Sequence, residues 1–134
     1  MTLPSVFAET TNKTMDQAIE AVEAALKGRE FAVLWHLDIN EKLKEKDLEP
    51  AAPFHILEVC SAPRARRALT TNQRAGYFLP CKIVVYQDEK AGKTVIGLQK
   101  PRLMADLVGD PQLEPLADEV EALLKAAIIE AAQD

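Results

Sequence analysis

The sequence predicts an α+β fold: a curved, mostly antiparallel sheet of about five strands, packed by an N-terminal helix and a long C-terminal helix. Three observations lead there. β-rich runs alternate with helical stretches through most of the chain. Residues 77–87 and 93–99 are two such runs joined by the short link Asp88-Glu89-Lys90-Ala91-Gly92, which suits an antiparallel hairpin. The chain then closes on its best-patterned amphipathic stretch, introduced by Pro111 and Pro115 and reaching Ala132. A length of 134 residues fits one domain, 1–134.

Residues 5–10 read as the first strand. Thr14 then stands as a helix N-cap, with Gln17 three positions on as its capping-box partner. Met15, Ala18, Ile19, Val22, Ala25 and Leu26 follow at helical spacing, and Gly28 sits where a C-cap glycine stops a helix. Residues 30–39 form the second strand. Strict alternation puts Phe31, Val33, Trp35, Leu37 and Ile39 on one face and Ala32, Leu34, His36 and Asp38 on the other, with Trp35 in the core. A short charged helix at 40–47 follows, capped by Asn40, and Pro50 and Pro53 bracket a loop. In the third strand, Phe54–Cys60, Phe54, Ile56, Glu58 and Cys60 alternate with His55, Leu57 and Val59. Pro63 suits the first turn of a helix that runs to Thr71. A loop at 71–76 leads into the fourth strand, and Pro101 ends the sheet. The resulting order is β-α-β-α-β-α-β-β-α.

The third and fourth strands are apolar on both faces: Phe54 and Ile56 against Leu57 and Val59, then Ile83 and Val85 against Val84 and Tyr86. A sheet coated on one side alternates more cleanly. Either the middle helices or a second subunit therefore covers the other face, and a homodimer is the expectation.

Net charge is −5, which argues against a nucleic-acid binder and against an anionic membrane surface as partner. No apolar run approaches the ~20 residues of a spanning helix. Residues 1–14 carry neither a basic start nor a useful apolar run. Two cysteines make no secreted disulfide framework. The expected setting is the cytoplasm, with reduced thiols.

Four groups could carry chemistry. His36 and Asp38, two apart on a strand, point to one side, and a histidine oriented by a carboxylate serves as base or metal ligand; equally, Asp38 serves as the cap of the following helix. Cys60 precedes Ser61 and a helix start, which can lower a thiol pKa, while Cys81 opens a strand after Pro80; equally, both are buried thiols. His36, Asp38 and Cys60, with Glu58 or Cys81, have donor types that suit zinc, although no C-x-x-C or H-x-x-x-H pair supports such a site. Arg64, Arg66 and Arg67 on the helix after Cys60 could receive a phosphate or carboxylate; equally, they form a basic face that pairs with the acidic last helix. No P-loop, dinucleotide glycine fingerprint or G-x-S-x-G elbow is present.

Phe31-Ala32-Val33-Leu34-Trp35-His36-Leu37-Asp38, followed by Ile56-Leu57-Glu58-Val59-Cys60-Ser61, resembles the family known as domain of unknown function 302. Gly76-Tyr77-Phe78-Leu79-Pro80-Cys81-Lys82-Ile83-Val84-Val85 is similar to its second hallmark, and Val108-Gly109-Asp110-Pro111 also fits. Where that family often has Asn-Pro, this chain has Ser61-Ala62-Pro63. The resemblance implies a TATA-binding-protein-like α+β fold, a curved antiparallel sheet gripped by helices and often paired as dimers. It implies no activity, and no cofactor is identified.

The leading expectation is a dimeric domain that binds a small molecule or metal in a crevice near Asp38, Cys60 and Cys81, with His36 and Ser61 beside it. The alternatives are a cysteine enzyme or redox protein using Cys60 with His36 as base, and a structural or interaction module whose arginines meet an acidic partner.

Overall fold

The computed structural model describes residues 4–134; residues 1–3, part of the stretch read for a leader, lie outside the described residues. The chain runs β1 (Val6–Thr11), α1 (Met15–Lys27), β2 (Ala32–Asp38), α2 (Ile39–Glu45), β3 (Phe54–Cys60), α3 (Ala62–Thr71), β4 (Cys81–Asp88), β5 (Lys93–Gln99), α4 (Pro101–Val108) and α5 (Glu114–Ala132). Gln73–Phe78 and Pro111–Leu113 are 3-10 segments. The five strands form one sheet in the order β1-β5-β4-β3-β2, every neighbouring pair antiparallel. This is the α+β architecture that the sequence predicts, with the long helix at its C-terminus.

Local chemistry explains the elements. Thr14 and Gln17 form a reciprocal capping box: Gln17 N donates to Thr14 Oγ1 at 3.2 Å and Thr14 N to Gln17 Oε1 at 3.0 Å. The β4–β5 hairpin turns through Gly92 at φ 67°, and Asp88 Oδ1 accepts from Lys90 N at 2.9 Å. α1 and α5 lie side by side on one face of the sheet. Ala18, Val22 and Leu26 join Leu124, Ala127 and Ile128 over Leu57, Val59, Ile83, Val85, Ile96 and Leu98 to make a closed core.

On the opposite face Leu37, Phe54, Ile56, Val84 and Tyr86 stay half exposed, and Phe54 stacks on Tyr86 with ring centroids 5.1 Å apart. Trp35 is 50% exposed on this face, not in the core. A β-bulge is the reason. Val33 lies opposite Val59, yet Trp35 lies opposite Glu58, so Leu34 is an extra residue and the alternation slips by one. Val33 thus faces the helices, while Trp35 and Leu37 turn away from them.

Other boundaries shift for backbone reasons. β4 begins at Cys81 rather than at residue 77. Pro80, which follows a cis peptide bond, has no N–H for the ladder, and Asn72 Oδ1 caps the preceding 3-10 segment by accepting from Arg74 N at 2.9 Å. The second strand starts two residues late, because Phe31 N bonds back to Leu26 O at 3.0 Å and Glu30 takes φ 66°. The cap of α2 is Asp38, whose Oδ1 accepts from Asn40 N at 3.0 Å; Asn40 instead pins the loop at Ala51. Pro101 both ends the sheet and opens α4, a helix the periodicity does not reveal, which Gly109 closes at φ 81°.

Candidate functional site

β3 ends and β4 begins at one end of the sheet, with Val59 directly opposite Cys81. α3, α4, the first turns of α5 and the 3-10 segment after α3 close around that end. They leave a pocket of about 620 Å³, inside the size range of small-molecule sites. Leu79, Met104, Ala105 and Leu116 supply apolar wall, and Cys60, Ser61, Arg64 and Cys81 supply polar atoms. Arg102 fixes the α4 wall to α5. It reaches Asp118 at 2.8 Å, Glu114 at 3.2 Å and Asp106 at 3.0 Å, and these carboxylates hold its pKa above the ordinary arginine value.

Both cysteines are free and both line this pocket. Burial pushes the Cys60 thiol up. Burial, and second the neighbouring Cys60 charge, push Cys81 up to about 11. Both shifts run opposite to the lowering expected of the α3 N-terminus, and both groups are held toward the neutral thiol. Ser61 is buried, and its hydroxyl accepts from Arg64 Nη1 at 3.1 Å.

The arginines are engaged within the chain. Arg64 Nε donates to Glu119 Oε2 at 2.7 Å, Arg67 Nη1 reaches the same oxygen at 3.2 Å, and Arg64 also lies 3.6 Å from Glu30. The Arg64 guanidinium sits 5.7 Å from the centre of the Phe31 ring. The Arg64 hydrogen bond, and after it the Arg67 bond, hold the Glu119 carboxyl below the usual carboxylate range. The basic face pairs with the acidic last helix, as one of the two sequence readings has it; Arg66 is exposed and takes no part.

His36 and Asp38 do share a face, but the residue that joins them is one the sequence reading passes over. His55 stands opposite Asp38 and diagonal to His36. His36 Nε2 and His55 Nδ1 are 2.6 Å apart, and His55 Nε2 lies 3.7 Å from Asp38 Oδ2. Alternation alone places His55 on the face of Leu57; only the cross-strand register reveals its partners.

This cluster and the thiols occupy opposite ends of β3. Cys60 lies three residues beyond Leu57, the partner of His36, and five beyond His55, or about 10 and 17 Å along the strand. One crevice holding Asp38, Cys60 and Cys81 is therefore not formed, nor is a His36–Asp38–Cys60 metal set, nor a Cys60–His36 nucleophile and base. Among the described residues no three His, Cys, Asp or Glu side chains converge as metal ligands. No described helix is long and apolar enough to cross a membrane.

Residues 7–131 match the family described as "Domain of unknown function DUF302". The chain is also similar to a solved structure, an uncharacterized conserved protein DUF302 from Bacillus stearothermophilus. The two are 38% identical, with a TM-score of 0.91 over 98% of this chain and 100% of that one. No functionally curated protein matches.

Proposed function

Because the chain belongs to the DUF302 family, whose description names no activity, we propose a function from the site itself: a binding domain for a small, largely apolar molecule seated in the Cys60–Cys81 pocket. One observation carries this reading. A pocket of about 620 Å³ lies between α3, α4, α5 and the sheet end, with mostly apolar walls and a few polar atoms among them. Protonated thiols suit such an occupant, because a neutral thiol packs as a small apolar group with a weak donor. The Ser61 hydroxyl, which accepts from Arg64 Nη1 and keeps its own proton to donate, offers the polar end of the ligand a place to bond.

Native mass spectrometry of the purified chain, compared with its denatured mass, tests this. The expected result is a non-covalent organic adduct, one per protomer, absent from Ala105→Trp, whose side chain fills the pocket. A mass that stays ligand-free after incubation with a panel of apolar carboxylic acids and amphiphiles would count against it.

A homodimer is the second part of the proposal, supported by the half-exposed apolar face of Leu37, Phe54, Ile56, Val84 and Tyr86. Pairing through this face predicts a dimer in sedimentation equilibrium that Ile56→Lys converts to monomer; a wild-type monomer would end this reading. The cytoplasm is the proposed setting, since two free thiols suit a reducing compartment.

A further inference from the structure

We propose that His36 and His55 form a binding site for an imidazole-seeking divalent transition ion, with zinc as the reference ion, separate from the thiol pocket. The two ring nitrogens that face each other, His36 Nε2 and His55 Nδ1, are 2.6 Å apart, with ring centroids 4.9 Å apart and planes tilted by 45°. Two lone pairs cannot share that gap without a proton or a cation between them. Asp38 determines which ring supplies the proton. Its Oδ1 is held by Asn40 N at the start of α2, at 3.0 Å, and its Oδ2 faces His55 Nε2 at 3.7 Å. A carboxylate on that side favours the Nε2–H tautomer of His55 and leaves Nδ1 as a lone pair toward His36. His36 then donates to it. When a cation enters the gap, His36 shifts its proton from Nε2 to Nδ1 through solvent, so the ion meets the lone pairs of two neutral imidazoles and no proton is lost overall.

The order carboxylate–histidine–metal is the arrangement that orients histidine ligands in metal sites generally. Asp38 stands behind His55, not as a third ligand, and solvent completes the coordination. Zinc–nitrogen bonds of about 2.0–2.1 Å at tetrahedral angles require the nitrogens to part to roughly 3.3 Å. His36 can yield by that amount. It is exposed, it sits on the edge strand β2, and the Leu34 bulge interrupts the ladder just before it. Imidazole pairs of this kind suit Zn²⁺, Cu²⁺ and Ni²⁺ rather than the hard ions Mg²⁺ and Ca²⁺.

The test is calorimetric titration of the full chain with Zn²⁺, together with NMR of the histidine rings. The expected result is one ion per protomer and joint shifts of the His36 and His55 ring signals. His36→Ala and His55→Gln each weaken binding at least tenfold. Asp38→Asn keeps a capping side chain at α2 and weakens binding by ~10–100-fold. Cys60→Ala with Cys81→Ala leaves binding unchanged. Zinc binding that survives His36→Ala undiminished, that disappears in the double cysteine variant, or that is absent from the wild type would overturn the assignment.

Discussion

Arg64 Nε and Glu119 Oε2 meet at 2.7 Å and join α3 to α5 beside the pocket. The Glu119 carboxyl is held below its ordinary value, first by this bond. A carboxyl depressed in the folded state adds stability that is fully present above its unfolded value, about 4.3. That stability is lost as the pH falls through the lower folded value. Urea midpoints at pH 6 and pH 3 should therefore fall further for wild type than for Glu119→Gln. Equal losses in the two proteins would remove this pair as a source of acid sensitivity.

The Cys81 thiol titrates the other way. Its folded value of about 11, against an ordinary value of 9.0, means that the fold favours the neutral form. The associated stability is present below about pH 9 and is lost as the pH rises toward the folded value. At pH 8 the thiolate fraction is roughly a hundred times lower in the folded chain than in the unfolded one. Iodoacetamide should label folded Cys81 correspondingly slowly; labelling as fast as in urea would contradict the buried-thiol account.

Two residues of α5 separate packing from exposure. Leu124 is fully buried between α1 and the sheet, whereas Ile129 is 44% exposed. Leu124→Ala should cost about 2–5 kcal/mol, and Ile129→Ala about 0.5 kcal/mol or less. Chemical denaturation of the two variants checks the ranking.

Glycine substitutions distinguish two helix ends that look alike in sequence. Gly109 closes α4 at φ 81°, so Gly109→Ala should destabilise by about 1 kcal/mol. Gly28 caps α1 in a right-handed conformation, with only Ala25 O at 3.8 Å from an added Cβ. Gly28→Ala should be neutral or stabilising by up to about 1 kcal/mol. The same denaturation series reads both.

Arg102 supports one wall of the proposed site through Asp106, Glu114 and Asp118. Arg102→Ala should speed amide exchange in α4 while leaving β3 and β4 protected. Uniform acceleration across the sheet would mean that α4 does not open as a separate unit.

Much of this architecture could be read before the structure because its signals are local. The Thr14–Gln17 capping box, the Asp88–Gly92 hairpin link and the α5 stripe depend on residues within a few positions of one another. The bulge at Leu34 does not announce itself, and a single extra residue moved Trp35 from core to surface. The pairing of His55 with His36 and Asp38 depends on the register of β2 against β3. The pocket depends on four segments meeting, one of them α4, too short for its pattern to stand out. Cys60 and Cys81 were legible as candidates; their separation from His36 and Asp38 was not, because residue type carries no record of which end of a strand a side chain occupies.

The most direct test is an amide NMR titration of the full chain with 1-anilinonaphthalene-8-sulfonate, an apolar body with an anionic end. The pocket account predicts shifts concentrated at Cys60, Ser61, Ala65, Ala105 and Ala117, saturating at one probe per protomer and suppressed in Ala105→Trp. Shifts confined to Leu37, Ile56, Val84 and Tyr86, with the pocket residues silent, would contradict it and identify the open sheet face as the binding surface.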